Sequence, residues 1–522
     1  MITKILMLVI FFGVMIGVGF YCRKNATDVN GFVLGGRSVG PWLTAFAYGT
    51  SYFSAVIFVG YAGQFGWKYG IASTWIGIGN ALLGSMLAWR VLGRRTRIMS
   101  QHLNSATMPE FFGQRFNSKG LKLFASLIVF IFMIPYTASL YNGLSRLFSM
   151  AFNIDYVYCI ILMAVLTGIY VIAGGYMATA INDFIQGIIM LFGIVAVILA
   201  VLNSKGGFLA ALDKLAQVSD ETVSTTPGVF NSFFGPDPIN LIGVVILTSL
   251  GTWGLPQMVQ KFYAIKSEKS ITKGTIISTL FAGVVAGGCY FLGGFGRLFS
   301  DQVDVKTEGF DAIIPAMLSN LSPMLIGLVV ILVLSASMST LSSLVMTSSS
   351  TLTIDFIKGT IIKDMKDKKQ VSIMRIFIVF FIIISAIIAI IKDANPSVTF
   401  IAQMMGVSWG ALAGAFLAPF LYGLYWKKAT KASVAVCYVW GCAIAILQLI
   451  ISLAKIDMSG FGVVISYIFK SSINSGVVAM VGGLVIVPLV SSFTAKLDEK
   501  NVDTMFECFE KKVSVAQKEA LD

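Results

Sequence analysis

Residues 49–54 read Gly49-Thr50-Ser51-Tyr52-Phe53-Ser54, and residues 248–256 read Thr248-Ser249-Leu250-Gly251-Thr252-Trp253-Gly254-Leu255-Pro256. Each is a polar, glycine-punctuated patch inside an apolar run of the length, about 20 residues, that crosses a bilayer. A helix interrupted there frees N–H and C=O groups that lipid cannot satisfy. Such backbone is tolerated only where it lines a cavity within the protein. The two patches therefore predict a pair of broken helices whose carbonyls face a shared interior.

Working outward, the composition sets that interior in a membrane. Of 522 residues 57% are hydrophobic and 12% charged, where soluble domains carry about 25% charge. Thirteen apolar stretches are long enough to span, near 5–22, 40–64, 70–92, 123–150, 155–173, 177–201, 239–260, 275–297, 323–351, 374–391, 397–425, 432–453 and 473–492. With the N-terminus outside, 28 of the 38 Lys and Arg fall on the cytoplasmic side. They are densest at Arg90, Arg94, Arg95, Arg97, Arg115, Lys119 and Lys122, and between Lys358 and Arg375. That bias predicts an N-out, C-in topology. The net charge of +13 is thus an orientation and lipid-surface signal rather than a nucleic-acid footprint.

The remaining composition narrows the classes further. Lys4 precedes the first span and Cys22-Arg23-Lys24 follow it without an A-x-A site, so a retained span is expected rather than a cleaved signal. All cysteines but Cys508 lie in or beside spans, which suggests no extracellular disulfide framework. His102, the single histidine, has no neighbouring ligands for a metal.

The two interrupted spans are the second and the seventh. An odd offset of five inverts the second copy relative to the first. Spans two to six (about 40–201) and seven to eleven (about 239–425) are expected to be inverted repeats, with span one and spans twelve and thirteen added. Interruptions at corresponding positions of two halves point to a transporter binding site. Residues 1–495 form one transmembrane domain in this reading, and 496–522 a short charged cytoplasmic tail, a solvated helix at the inner surface.

Ionisable residues at mid-membrane depth are functional candidates by default. Asp183, about two turns into span six, is the clear one; Asp155 and Asp355 fall at span ends, within reach of water. One carboxylate without a partner base or nucleophile is a poor start for catalysis, so no enzyme is expected. Asp183 stays open between a cation ligand, a proton relay and a structural hydrogen bond to a broken helix.

Span nine carries a run of hydroxyls: Ser335, Ser337, Ser339, Thr340, Ser342, Ser343, Thr347 and Ser348. Close helix packing is one use of small residues. The spacing offers a sharper one. Ala336, Ser339 and Thr340 stand at i, i+3 and i+4, on one helix face. A carbonyl and two hydroxyls there, opposite carbonyls of broken span two, would make an all-oxygen cage suited to Na+. Ser342 and Ser343, one turn on, could meet Asp183 as a second, charged cation site.

These residues resemble the sodium:solute symporter family, with its LeuT-type five-plus-five inverted repeat, over about residues 5–495. The matching motifs are Leu34-Gly35-Gly36-Arg37-Ser38, Met108-Pro109-Glu110-Phe111-Phe112 with Arg115-Phe116, and Ala173-Gly174-Gly175-Tyr176-Met177-Ala178 leading to Asn182-Asp183-Phe184-Ile185-Gln186. Met338-Ser339-Thr340-Leu341-Ser342 and Gly254-Leu255-Pro256 with Lys261-Phe262 complete the set. The resemblance implies a Na+ site of main-chain oxygens from Thr50, Phe53 and Ala336 with the hydroxyls of Ser339 and Thr340. It also implies a second Na+ on Asp183, Ser339, Ser342 and Ser343, as in sialic acid transporters, and hence 2:1 coupling.

For the solute the resemblance implies a pocket lined by Tyr52, Ser54, Trp75, Tyr136, Thr248, Thr252, Trp253 and Gln403, with Gly49, Gly251 and Gly254 as hinges. The motif string is nearest the proline and pantothenate branches. Yet the proline branch carries an aspartate where Tyr52 stands and a tryptophan near Thr248, and sialic acid transporters an arginine where Tyr136 stands. An aromatic, hydroxyl-rich wall without a fixed cation suits a small neutral or zwitterionic solute such as an amino acid, a sugar or a vitamin-like molecule. The expected activity is Na+-coupled symport into the cell across the plasma membrane by alternating access, with solute and bilayer as partners and no protein partner implied. The alternative is a proton-coupled symporter of the same fold with Asp183 as relay.

Overall fold

Long apolar runs with few prolines leave helix as the one structure that satisfies every backbone group in lipid. The computed structural model describes residues 2–152, 154–362, 364–393 and 401–510. Among these residues the chain is helical, without strands, its only extended pairings being isolated bridges at Val39–Ile265 and Asp220–Ser224.

Ten helices among the described residues are long and apolar enough to cross a bilayer, or eleven if one bent pair is a span. Two of them, Val56–His102 and Val157–Ser204, run to 47 and 48 residues. At 1.5 Å per residue that is about 70 Å, more than twice the hydrocarbon thickness of roughly 30 Å. Each contains a glycine at positive φ, Gly70 (φ 61°, ψ −143°) and Gly175 (φ 57°, ψ −149°). Divided at those glycines, Val157–Ser204 would give two crossings and Val56–His102 one crossing plus the second half of broken span two, the division behind the expected thirteen.

The helices differ sharply in what surrounds them. In the segment 404–425 of span eleven 89% of the most apolar stretch is enclosed by protein, and in span nine (323–358) 78%, against 22% for span one. Span nine packs on spans four to six; span eleven packs on spans four, twelve and thirteen and on the broken segment of span seven. These two helices are the centre of the molecule, and the hydroxyl run lies on one of them.

The motifs between the spans are fasteners. Gly35, Gly36 and Arg37 all have positive φ, a conformation glycine adopts freely and arginine does not. Arg37 is held there because its guanidinium donates to Ser100 Oγ (3.2 Å), Ser105 O (2.7 Å) and Tyr263 O (3.2 Å). Burial lowers its pKa from the ordinary arginine value. Thr107 caps the helix Met108–Arg115 by accepting from Glu110 N, and Arg115 donates to Gly423 O (2.9 Å) and Trp426 O (3.1 Å).

Two expectations are corrected here. Asp355 does not reach water: it is fully buried, accepts from Thr107 Oγ1 at 2.5 Å and pairs with Lys122 at 3.2 Å. Span nine simply runs on past its hydropathic end. The described part of the tail is not a solvated helix either. In Glu499–Phe506, Val502 and Phe506 are buried; Phe506 lies under Arg115 (4.9 Å), Phe509 under Arg95 (4.5 Å), and Asp503 pairs with Lys427 (2.7 Å). The two phenylalanines, masked in a charged segment, supply the apolar face.

Candidate functional site

The site forms where the two helices break. Span two is helical over Pro41–Tyr52 and resumes at Ala55. Span seven is helical over Pro238–Leu250, tightens over Gly251–Gly254 and resumes at Pro256, bent by 50°. Phe53 sits at φ −83°, ψ 121° and Leu255 at φ −85°, ψ 119°. Two breaks five spans apart thus share one backbone geometry, as inverted repeats require.

The break falls beside the expected hinge glycines rather than on them. Gly49 lies inside the helix, where a Cβ would strike the Phe281 ring at 2.4 Å; one on Gly254 would meet Ala413 Cα and Leu417 N at 2.8 Å. Gly251 faces Trp409 at 3.3 Å. In this conformation all three permit close packing.

At the break in span two, five oxygens converge. Thr340 Oγ1 lies 3.2 Å from Thr50 O, 3.2 Å from Phe53 O and 3.1 Å from Ala336 O. Ser339 Oγ lies 3.2 Å from Thr50 O and 3.1 Å from Ala336 O. All five residues are buried. A hydroxyl has one proton to give, so Thr340 faces three carbonyls with one proton and Ser339 faces two with one. The cluster has more lone pairs than hydrogens, a surplus that a small hard cation answers.

The neighbouring acidic site holds a residue that sequence reading did not place there. Asp183 is fully buried and neither carboxylate oxygen has a hydrogen-bond donor. The Lys261 ammonium, 2% exposed, stands 3.8 Å from Asp183 Oδ2 and donates to Ser343 Oγ at 3.0 Å. Ser343 Oγ also bonds Ser51 Oγ at 2.7 Å, and Ser342 Oγ donates to Ser339 O at 2.9 Å. Hydropathy ends span seven at residue 260, yet the bent helix continues to Ala264. Lys261 falls one residue past that hydropathic end, so hydropathy alone sets this buried lysine outside the span.

The expected solute residues divide into two groups. Tyr52 and Tyr136 flank Trp409, with ring centroids 5.8 and 6.0 Å from it. The Tyr52 and Tyr136 hydroxyls, Ser54 Oγ and Trp409 Nε1 are buried; the Tyr136 hydroxyl faces Trp409 and Ser54, and that of Tyr52 faces Thr248. The second group is turned toward span three. Thr248 Oγ1 lies 3.0 Å from Asn80 Oδ1 and 2.8 Å from Val244 O, Thr252 Oγ1 lies 3.2 Å from Gly84 O and 2.8 Å from Ser249 O, and Trp253 Nε1 donates to Leu83 O (3.0 Å). Trp75 stands apart, half-buried against Phe233, whose carbonyl takes its indole proton at 3.0 Å. The side chain of Gln403 lies outside the described residues. Trp409 was missed because its partners come from three different spans.

Space is distributed unevenly along this axis. Beside Tyr52 is a cavity of about 10 Å³, lined by Tyr48, Gly49, Asn80, Gly84 and Thr252, room for about one water. Beyond the far end of span two an open cavity of about 1290 Å³ is bordered by Gln64, Trp67, Lys68, Asp220, Asn240 and Arg297. Arg297 there lies over Phe230 and Trp67 and pairs with Asp220 at 3.0 Å. Hydrogen bonds from Thr222 and Arg297 hold the Asp220 carboxyl below its ordinary pKa.

Paired broken helices, an oxygen cage where one of them meets span nine, and a membrane-embedded all-helical body define a LeuT-type secondary transporter. The chain belongs to the sodium:solute symporter family, whose model matches residues 32–441. It is similar to sodium/proline symporters of Staphylococcus aureus, 32% identical over 453 residues and 85% of either chain. Its fold is similar to that of a Na+-coupled sialic acid symporter in a substrate-bound outward-open state (TM-score 0.70, 17% identity, 95% of this chain and 99% of that one). It is also similar to that of the Eremococcus coleocola manganese transporter (TM-score 0.50, 12% identity, 87% and 95%). The protein is a multi-pass plasma-membrane symporter, not an enzyme, and Na+ is its coupling ion. The proton-coupled alternative is not favoured.

Proposed function

We propose that this symporter imports a small zwitterionic solute of the amino acid class, with proline the first to try, driven by Na+ bound on Thr50, Phe53, Ala336, Ser339 and Thr340. The observation that carries the ion site is the convergence of two hydroxyls on three carbonyls at 3.1–3.2 Å. The solute class is supported by the name of the Staphylococcus aureus relatives and by the aromatic cluster. Tyr52, Ser54, Tyr136 and Trp409 offer rings and four buried polar atoms but no charge. A solute without net charge suits that wall.

The proposed cycle follows from which elements each ligand joins. Na+ ties span two, through Thr50 and Phe53, to span nine, through Ala336, Ser339 and Thr340. With the N-terminus outside, the 1290 Å³ cavity is the outer vestibule. The solute docks at the break, its polar groups pairing with Tyr52, Tyr136 and Trp409. The two-repeat core then turns to face inward, the backbone giving way at Phe53 and Leu255.

The test is uptake by proteoliposomes. Ser339→Ala with Thr340→Ala should remove Na+-stimulated proline uptake, at least tenfold, in protein that still elutes as a folded species. Full Na+-driven uptake by that variant would sink the site. Uptake in Na+-free buffer that rises with acidity would instead support proton coupling through Asp183.

A further inference from the structure

Lys261 lies six residues past the break in span seven, on the short helix Pro256–Ala264, where it is buried. Its ammonium has three protons to place. One goes to Ser343 Oγ at 3.0 Å; Asp183 Oδ2 stands 3.8 Å from the nitrogen, and the group lies 5.1 Å from the centre of the Tyr176 ring. The serine hydroxyls that a second Na+ would need are therefore engaged, and the Asp183 carboxylate, without a hydrogen-bond donor, already has a cation 3.8 Å away. Ser343 is held by the ammonium and by Ser51, Ser342 gives its proton to Ser339 O, and Asp183 faces the ammonium.

Charge leads to the same conclusion. Asp183 and Lys261 together are neutral, and buried charges persist when paired. A Na+ entering between them would leave two cations against one carboxylate in a low-dielectric interior, where like charges repel strongly. The pairing also crosses elements: Lys261 belongs to span seven, Asp183 to span six, Ser343 to span nine and Ser51 to span two. An ion at this point would join the same four helices.

We propose that Lys261 is a tethered cation that takes the place of a second Na+ beside Asp183 and Ser343, so that this symporter binds one Na+ per chain. The proposal rests on the reading of Thr50, Phe53, Ala336, Ser339 and Thr340 as the single exchangeable ion site. Lys261 is then a positioning residue. It fastens the inner half of span seven to spans six and nine in every state, where an exchangeable ion would fasten it only when bound.

The test counts bound ions on the full-length purified protein, by equilibrium binding of radioactive Na+ without solute, so that the identity of the solute does not enter. Wild type should bind one Na+ per chain with a Hill coefficient of one. Lys261→Met keeps the length of the side chain and drops its charge. It should bind two Na+ with a Hill coefficient above one, melt below wild type in KCl, and regain most of that difference in NaCl. Lys261→Arg should stay at one. Two Na+ on the wild type would overturn the proposal, as would folded Lys261→Met that still binds one. If Lys261→Met does not fold, the wild-type count decides alone. One Na+ retained after Ser339→Ala with Thr340→Ala overturns the site-one reading; if that ion is then lost with Asp183→Asn, the tethered cation falls too.

Discussion

Gly175 shows how one residue sets a chain path. The Ala173-Gly174-Gly175 motif separates two runs that would otherwise join in one helix of 49 residues, and Gly175 alone departs from helical geometry, at φ 57°, ψ −149°. Side chains rarely adopt that region, and a Cβ there would also stand 2.9 Å from Phe32 O and from the Phe32 ring. Non-glycine residues in such conformations cost about 1–3 kcal/mol before any clash. Gly175→Ala is therefore expected to lose at least about 2 kcal/mol, read as a lower melting temperature in detergent. Gly13→Ala is the control. Gly13 is helical with nothing within 4 Å of the added methyl, so alanine there should be neutral or slightly stabilising.

At the scale of elements, the interior depends on how closely helices approach. A Cβ on Gly66 would sit 1.9 Å from Gly293 O, and one on Gly293 would sit 2.1 Å from Ala62 O. The second half of span two thus meets the end of span eight backbone to backbone, which only the smallest residues permit. Gly293→Ala or Gly66→Ala must push these helices apart, at a cost of about 1–3 kcal/mol or more. The expected result is a lower yield of folded protein with a lower melting temperature for either variant. An unchanged melting temperature in both would show that the crossing yields easily.

The same scale explains what could be read in the sequence. The cage was legible because helical geometry fixes what i, i+3 and i+4 present, whatever the neighbours do; Ala336, Ser339 and Thr340 needed only a facing break. The break was legible in turn because lipid leaves freed carbonyls no other use. Trp409 was not, because which face of span eleven meets Tyr52 and Tyr136 is settled by tertiary packing. Trp75 misled for the same reason: a tryptophan at a span end looks alike whether it faces a pocket or the loop at Phe233. Lys261 and Asp355 were misplaced because hydropathy ends a span where its average falls, whereas both helices continue.

At the scale of the whole molecule, the number of ions fixes how far a solute can be concentrated. One charge moving through 100 mV supplies about 2.3 kcal/mol, and a tenfold Na+ gradient adds about 1.4 kcal/mol. Their sum, about 3.7 kcal/mol, sustains roughly a 500-fold solute ratio for one coupled ion. A second ion would square that to about 250,000-fold. Lys261 adds nothing to this drive, since a charge fixed to the chain is not delivered and released with each turnover. Proteoliposomes holding −100 mV inside and a tenfold inward Na+ gradient should thus accumulate proline to a plateau near, and not beyond, about 500-fold. Leak lowers a plateau and never raises it. A ratio well above 500-fold in wild type would therefore require a second coupled ion, whereas folded Lys261→Met that surpasses wild type under the same gradients would show the second site opened by loss of the tethered charge.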